Sequence, residues 1–317
     1  MENLKAKLPT KDDVLKIYKK SPIKVVDLFV YVMLILLAFV FVYPFLYMII
    51  TSFKSYSDLI NVTVKWIPKN LTFSSYKTAL SVMRLEHTLP NSIIVTVLAT
   101  LGHVVSCSYI AYGFARYKFP LRGVFFSIVI LSIMMPIQVI IIPMYLTYST
   151  FGVLNTYIPL VVPCFLGFGL KGGLFVFLYR QYFLGIPKSL EEAASIDGCG
   201  PLKTFFRIAL PSAGSTTIVC IVLSMVWHWN DYYEPGLYLS SFDSMLLPQI
   251  VDSLKALVAA MQKQFTEGGD ISADGTLFHN GVIMAGTCFS MIPPMIAYLF
   301  LQRKFMEGIE RSGLTGM

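Results

Sequence analysis

The sequence predicts an all-α polytopic membrane protein with six transmembrane helices, and two observations support this fold class. The chain of 317 residues is 56% hydrophobic and only 14% charged, with a mean hydropathy of +0.67, which is typical of membrane proteins and not of soluble domains. Most of its 25 lysine and arginine residues lie in segments that six spans would place on one side of the bilayer. Because cytoplasmic loops carry an excess of Lys and Arg, both termini are predicted to be cytoplasmic.

The net charge of +7 is explained by this orientation signal and does not indicate nucleic-acid binding. The five cysteines are odd in number and show no CxxC spacing, so they predict neither a disulfide framework nor a zinc site. The first apolar run is too long for the core of a signal peptide, so it is expected to remain in the protein as a membrane span.

Six apolar runs are long enough to cross the hydrocarbon core of a bilayer. The predicted spans are residues 28–50, 92–112, 124–145, 157–179, 213–233 and 280–301. They form one membrane domain over residues 25–311, with outer segments at 51–90 and 234–279. A lysine-rich cytoplasmic segment, 1–24, which could form a helix at the inner leaflet, precedes this domain, and a short cytoplasmic tail, 312–317, follows it.

Two of the spans contain residues that disturb a helix. Pro136 and Pro143 predict a kink in the third span. The fourth span contains a glycine pattern, Gly167-x-Gly169-x-x-Gly172, that resembles a dinucleotide-binding fingerprint but does not follow a strand or open a soluble helix. Helix packing, with Gly169 and Gly173 as a small-xxx-small pair, is the favoured interpretation.

The longest polar interruption in the second half of the chain is residues 191–211, which we call the elbow. Ser189 and Glu192 have the spacing of a capping box at the start of a first short helix. Gly198 is placed to end that helix, and Pro201 to begin a second one. The elbow is therefore predicted to be two short amphipathic helices joined by a hinge, on the cytoplasmic side between the fourth and fifth spans.

The elbow resembles the cytoplasmic coupling loop of ABC importer permeases. The shared pattern is Glu192-Ala193-Ala194, then Gly198 after three residues, then Ile208-Ala209-Leu210-Pro211 after nine more. Other segments are similar to the maltose-type carbohydrate permeases, namely Asn155-Thr156-Tyr157, Arg180-Gln181, Ile186-Pro187, Trp229-Asn230-Asp231 and Gln302-Arg303-Lys304-Phe305. The resemblance runs from about residue 27 to the end of the chain.

The resemblance implies the fold of a type I ABC importer permease, with a coupling loop over residues 180–211. It implies that the following residues couple the chain to an ATPase: Glu191, Glu192, Ala193, Ala194, Asp197, Gly198, Ile208, Leu210 and Pro211. The implied function is that of one of two transmembrane subunits of a sugar importer in the bacterial cell membrane. Among sugars, an oligosaccharide is the expected substrate. The implied partners are a second permease, an ATPase dimer and an extracytoplasmic solute-binding protein, without nucleic acid.

No Walker A sequence, G-x-x-x-x-G-K-[ST], occurs in the chain. If ATP drives transport, ATP and Mg²⁺ are therefore expected in the partner ATPase, and this chain is expected to be neither an enzyme nor a cofactor-binding protein. Three alternatives stay open. They are an ion-coupled secondary transporter, which would need several carboxylates inside spans, a membrane-embedded enzyme using Lys171 and the histidines, and an ABC importer permease for a solute other than sugar.

Lys171 is predicted to be the one basic residue well inside a span. Three interpretations remain: it lines the pathway or a gate, it pairs with another helix, or it snorkels to the interface. His103 and His228 are predicted to be packing residues in preference to proton-relay or metal-binding residues, since no carboxylate or cysteine lies at ligand spacing in the sequence.

Aromatic residues cluster at the outer end of the fifth span: Trp227, Trp229, Tyr232 and Tyr233. Interfacial anchoring explains them, but stacking on a sugar is also open, with Asn230 and Asp231 as hydrogen-bonding groups. Residues two apart point about 200° from each other on a helix, so at most one tryptophan could face a pathway. The sequence favours the face of Trp227 and Asn230 as the candidate substrate path, with Tyr233 on the face of Trp229.

Overall fold

The computed structural model describes residues 26–265 and 274–314, whose regular structure is helical apart from one antiparallel bridge between Lys54 and Leu71. The predicted segment 1–24 lies outside the described residues, as does the end of the predicted tail. The helices in chain order are α1 (Val26–Ser52), α2 (Tyr56–Ile60), α3 (Ser74–Met83), α4 (Leu85–Arg116), α5 (Arg122–Met134), α6 (Ile137–Thr150), α7 (Ile158–Phe165), α8 (Gly172–Gly185), α9 (Lys188–Ile196), α10 (Pro201–Thr204), α11 (Leu210–Ser212), α12 (Gly214–Asn230), α13 (Tyr233–Tyr238), α14 (Leu247–Phe265) and α15 (Asp274–Leu314). A π-helical turn at Phe205–Ala209 joins α10 to α11, and a 3-10 turn at Phe242–Ser244 precedes α14.

Among the described residues, three helical segments are long and apolar enough to cross a membrane: Asp27–Ser52, Leu85–Arg116 and Asn280–Glu307. They contain the predicted first, second and sixth spans. Two bent pairs of helices raise the number of candidates to five, if each pair is one span: α5 with α6, bent by 101°, and Pro201–Ser212 with α12, bent by 78°. The predicted fifth span ends at Asn230, three residues earlier than expected.

The third predicted span is broken at Pro136 and not merely kinked. Met135, the residue before the proline, is extended, with φ −71° and ψ 120°. This is the conformation that steric clash with a following proline ring favours. As a result α5 ends at Met134 and α6 starts at Ile137 in a new direction, whereas Pro143 is accommodated inside α6.

The fourth predicted span is also broken, so its prediction as one continuous helix was wrong. Residues 166–171 separate α7 from α8, and Gly167, Gly169 and Lys171 all have positive φ there. Gly169 therefore does not share a helix face with Gly173, contrary to the small-xxx-small interpretation. Gly173 packs closely against α5, since a Cβ at this position would lie 2.9 Å from the carbonyl oxygen of Val129.

Three apolar clusters join helices in the described part of the chain, and α4 contributes to each of them. The first joins α4 and α8 to the elbow through Tyr112, Phe175, Tyr179, Phe183 and Phe205. The second joins α3, α12, α14 and α15 through buried residues that include Met83, Trp229, Leu254 and Val282, with Leu85 and Leu89 of α4 packed against it. The third joins α4, α6, α7 and the segment after α12 through Val95, Ile141, Leu160 and Tyr238.

The loops meet at two ends of this helical assembly. At one end, Arg116 at the end of α4 contacts the start of α9. At the other end, the Asn155 side chain accepts hydrogen bonds from the backbone N–H groups of Ser240 (2.7 Å) and Ser241 (3.0 Å). The grouping of these loops agrees with the predicted topology, in which the turn after the second span and the elbow share one side of the bilayer.

Candidate functional site

The first helix of the elbow ends in a Schellman motif centred on Gly198. The N–H of Cys199 donates to the carbonyl of Ala194 (2.9 Å), and the N–H of Gly198 donates to that of Ser195 (3.1 Å). Gly198 has φ +75°, a left-handed conformation that glycine adopts without steric cost. The prediction that Gly198 ends this helix is confirmed.

The other end of α9 differs from the predicted capping box. The helix begins at Lys188 after Pro187, and no side chain caps it, so Ser189 lies inside the helix and does not precede it. The start of the second helix agrees with prediction, because Pro201 occupies its first turn after Gly200. The sequence did not predict the following π-helical turn, which places Phe205 inside and Phe206 outside the packed core.

An ion pair fastens the elbow to α4. The Arg116 Nε lies 2.7 Å from the Glu191 Oε1, and the two side chains are 6% and 20% exposed. Arg116 also donates from Nη2 to the carbonyl oxygen of Ile186 (2.8 Å), just before α9. The sequence analysis counted Arg116 only as a cytoplasmic charge, because nothing local links it to a carboxylate 75 positions away.

The predicted coupling residues divide between the inside and the surface of the elbow. Ala194 is only 4% exposed and packs within the chain, so it is not available to a partner, whereas Ala193 is exposed. Ile208 and Leu210 are half-buried, and the exposed members of the set are Glu192, Ala193, Asp197, Gly198 and Pro211. Ile196, at 87% exposure, and Phe206, at 55%, add apolar surface to the elbow that the described residues leave uncovered.

Gly198→Val is expected to deform the elbow through backbone strain alone. A Cβ at Gly198 or at Gly200 would meet no atom within 4 Å, but only Gly198 has a left-handed backbone. That conformation costs a side-chain-bearing residue roughly 1–2 kcal/mol. If the elbow has the coupling role that the resemblance implies, transport and association with an ATPase should fall in the Gly198→Val complex and stay normal in Gly200→Val, as measured by uptake into vesicles and by copurification. Equal behaviour of the two variants would contradict a coupling role for this hinge.

A cavity of about 330 Å³ lies where the two broken spans meet. Non-helical backbone at membrane depth is tolerated where it lines such a cavity, because its polar groups can be hydrated there. The polar and aromatic side chains that line it are Ser132, Gln138, Phe168, Lys171, His228, Asp231 and Glu234.

The structure places only part of the predicted substrate path in this cavity. Lys171 and Asp231 line it, and Lys171 is exposed and takes part in none of the ion pairs found among the described residues. Trp227 packs against Phe175, with ring centroids 5.7 Å apart. Asn230 faces a second cavity of about 570 Å³, together with Tyr232. Trp227 and Asn230 therefore do not line this cavity together, contrary to the prediction that they share a face along the substrate path.

Trp229 and Tyr233 also differ from expectation. The helix α12 ends at Asn230, and Tyr233 begins the separate helix α13, so the two aromatic residues do not share a helix face. Trp229 is buried in the second apolar cluster, and its Nε1–H donates to the carbonyl of Ser290 (2.9 Å). Its position is that of a core residue.

Sequence reasoning missed Phe168 and Glu234 as cavity residues. Phe168 is the exposed aromatic ring of the cavity, and it stands between the two glycines of the broken span. Glu234 is 8% exposed, and burial together with the neighbouring charge of Asp231 raises its pKa to about 8. Burial also raises the pKa of Asp231, although its carboxylate accepts hydrogen bonds from the N–H groups of Tyr233 and Glu234. The carboxyl group of Glu234 is therefore mostly protonated at neutral pH and can donate a hydrogen bond.

The relatives of this chain are transport permeases. The family described as "Binding-protein-dependent transport system inner membrane component" matches residues 104–305. A probable starch degradation products transport system permease protein, AmyC of Thermoanaerobacterium thermosulfurigenes, is 32% identical over 275 residues, which are 87% of this chain and 92% of AmyC. The arabinooligosaccharides transport system permease protein AraQ of Halalkalibacterium halodurans is 28% identical, over 88% of this chain and 93% of AraQ.

A solved structure shows the same fold. One chain of a bacterial ABC transporter involved in the import of the acidic polysaccharide alginate superposes with a TM-score of 0.73 at 22% sequence identity, covering 90% of this chain and 98% of that chain. The family match includes the elbow and both broken spans. It also includes the residues that line the cavity, except Val95, which lies just before it. The chain belongs to the family of binding-protein-dependent transport system inner membrane components.

Proposed function

We propose that this chain is one of two transmembrane subunits of an ATP-driven, binding-protein-dependent importer for an oligosaccharide in a bacterial cell membrane. It crosses the membrane six times, with both termini in the cytoplasm. The relatives support the substrate class, since their names specify starch degradation products, arabinooligosaccharides and, for LacG of Rhizobium radiobacter at 25% identity, lactose. The second permease, the ATPase dimer and the solute-binding protein are separate chains, and ATP and Mg²⁺ bind to the ATPase.

The elbow is the feature of the structure that supports this function most directly. It presents exposed residues to a partner on one side, while the Arg116–Glu191 ion pair and the buried ring of Phe205 attach it to α4 and α8 on the other. A force applied to the elbow by closing ATPases is therefore transmitted to the helices that line the cavity. Movement of those helices would switch the cavity between the two sides of the membrane.

The cavity forms this chain's half of the translocation pathway. Hydroxyl groups of a sugar are both donors and acceptors, and the cavity offers a cation, an amide and a protonated carboxyl group at Lys171, Gln138 and Glu234. The ring of Phe168 offers an apolar face to the C–H groups of a pyranose. In this proposal the solute-binding protein docks on the predicted outer segments 51–90 and 234–279.

The test is purification of the tagged chain from its host membranes, followed by reconstitution. A second permease and an ATPase should copurify, as identified by mass spectrometry. With the binding protein present, the reconstituted complex should take up labelled maltooligosaccharides or arabinooligosaccharides only when ATP is supplied. Uptake by this chain alone, driven by an ion gradient without ATP, would instead support a secondary transporter.

A solute other than sugar is the second candidate, because one relative has a phosphorylated substrate. The sn-glycerol-3-phosphate permease protein UgpE of Pectobacterium atrosepticum is 30% identical over 221 residues, which are 70% of this chain. Lys171 could pair with a phosphate as well as donate to a hydroxyl group. Competition of glycerol phosphate with oligosaccharide uptake in the same vesicles distinguishes the two solutes.

Lys171→Met is expected to lower the rate of sugar uptake about 10-fold, because a hydrogen bond from a charged group is worth about 1.5 kcal/mol. Lys171→Arg keeps the charge and should keep most of the uptake. The amount of assembled complex should be the same for both, since Lys171 is exposed and lies outside the apolar clusters. Unchanged uptake by a well-assembled Lys171→Met complex would leave the snorkelling interpretation.

A further inference from the structure

Two histidines and a cysteine from three different helices meet beside the cavity. His103 belongs to α4, Cys164 to α7 and His228 to α12, and each residue is at most 8% exposed. One nitrogen of each imidazole and the Cys164 sulfur lie within 4.8 Å of one another. The His228 Nε2 is 3.4 Å from the Cys164 Sγ, and the two imidazole centroids are 5.2 Å apart.

Ser224 orients both imidazole rings. The Nδ1–H of His228 donates to the Ser224 carbonyl oxygen (3.1 Å), which leaves a lone pair on Nε2 facing the sulfur. The His103 Nε2 lies 3.2 Å from the carbonyl oxygen of Phe168, which only accepts, so without an ion Nε2 donates to Phe168 and Nδ1 (3.2 Å) accepts from the Ser224 hydroxyl. Metal binding requires the His103 proton to move to Nδ1, which then donates to the Ser224 oxygen and frees the lone pair of Nε2 for the ion. Metal-binding histidines are typically held by such a hydrogen bond from the nitrogen that does not bind the metal.

The glycine break between α7 and α8 keeps the surroundings of these atoms open. A Cβ on Gly169 would lie 2.9 Å from the Cys164 Sγ and 3.5 Å from the His103 Nε2, and a Cβ on Gly172 would lie 3.7 Å from that nitrogen. Gly169, Gly172 and His228 also line the cavity, so an ion in the cavity reaches the cluster directly. The glycines thus provide both the room and the entry path.

We propose that His103, Cys164 and His228 form a binding site for a d¹⁰ transition-metal ion, Zn²⁺ or Cu⁺. Two imidazoles with one thiolate are a ligand set that both ions accept. Binding replaces the thiol proton of Cys164 by the ion, and the proton leaves to solvent through the cavity. The thiolate neutralises Cu⁺ fully and leaves one positive charge with Zn²⁺, which the carboxylate of Asp231 in the same cavity can offset.

A metal ion at this site would join α4, α7 and α12. Switching of the cavity requires these helices to move relative to one another, because the elbow pulls on α4 and α8 while α12 continues from the elbow itself. An ion that binds all three helices therefore inhibits transport by holding one conformation. The site makes this permease sensitive to metal ions that enter the cavity.

The test uses the complete importer complex, freed of metal by a chelator and titrated separately with Zn²⁺ and, under anaerobic reducing conditions, with Cu⁺. Wild-type complex should bind one ion per copy of this chain by elemental mass spectrometry, and Co²⁺ should give a thiolate-to-cobalt absorption band. Cys164→Ser should abolish the band and weaken binding by more than about 100-fold, because even outer-sphere partners are worth 10–100-fold. The ion that saturates the site at the lower free concentration is the preferred one.

Cys220→Ser is the matched control, since Cys220 is a buried cysteine outside the cluster. It should bind the ion as wild type does. His228→Gln provides a second variant if Cys164→Ser does not assemble, and it should lose the ion while keeping the thiol. Absence of binding by wild type, or binding by Cys164→Ser or His228→Gln equal to that of wild type, would overturn the proposal, whether or not the complex transports sugar.

Discussion

Glu191→Gln is expected to uncouple ATP hydrolysis from transport, with the rate of sugar uptake falling at least about 10-fold. Removing one partner of a buried ion pair costs roughly 3–5 kcal/mol, because the other charge stays buried. Since the Glu191 side chain is 20% exposed, the expected cost here is smaller, about 1–3 kcal/mol, and is concentrated on the contact between α4 and α9. Reconstituted complex should still hydrolyse ATP, but binding protein and sugar should no longer stimulate hydrolysis.

A double-mutant cycle with Arg116→Met identifies the ion pair as the cause. Each single variant should lose stimulation, and the double variant should lose no more than the worse single one, because contacting residues are not additive. Asp243→Asn is the control for stability, since the Arg84–Asp243 pair (3.5 Å) is exposed and worth at most about 1 kcal/mol. Normal stimulation in Glu191→Gln, or additive losses in the cycle, would mean that the elbow is coupled to α4 by other contacts.

Trp229→Ala is expected to have the largest effect on stability, about 3–5 kcal/mol. The change removes a large ring from the cluster between α3, α12, α14 and α15 and leaves the carbonyl of Ser290 without its N–H donor. Thermal unfolding of the purified complex should shift to a clearly lower temperature. The small amount of complex that assembles should transport sugar at a normal rate per molecule, because Trp229 does not line the cavity.

Two substitutions separate the ring from its hydrogen bond. Trp229→Phe keeps most of the apolar contact and should cost only about 1 kcal/mol, the net value of one hydrogen bond. Trp227→Ala removes a ring of the same size that is only partly buried, and it should destabilise the complex less than Trp229→Ala does. A stable Trp229→Ala complex with impaired uptake would instead place Trp229 in the substrate path.

The features that follow from short stretches of sequence were predictable. Apolar length alone identified the spans in α1, α4 and α15, because a bilayer demands about 20 apolar residues in a row. Gly198 and Pro201 marked the ends of the elbow helices, since left-handed backbone and a fixed φ depend on the residue itself. The pattern around Glu192 also identified the family, and the family match confirmed it.

Patterns of neighbouring residues also gave wrong structural predictions at several points. Ser189 had the spacing of an N-cap, but the helix begins one position before it, at Lys188 after Pro187. Lys171 was assigned to a continuous span, although the glycines around it allow a break that hydropathy does not reveal. The assignment of Trp227 and Asn230 to one lining assumed that residues three apart on a helix meet the same surroundings, whereas Trp227 packs against Phe175 and Asn230 faces the second cavity.

The tertiary structure alone decided which distant residues meet. Glu191 finds Arg116 across 75 positions, and Ser224 finds His103 across 121 positions. The periodicity of a sequence defines the faces of a helix but not the helix that each face packs against. That choice depends on where the third and fourth spans break and on how α4 packs between the three apolar clusters. For this reason the sequence by itself determined the spans in α1, α4 and α15, the hinge of the elbow and the family, whereas the ion pair, the cavity lining and the histidine–cysteine cluster became visible only when the helices were packed together.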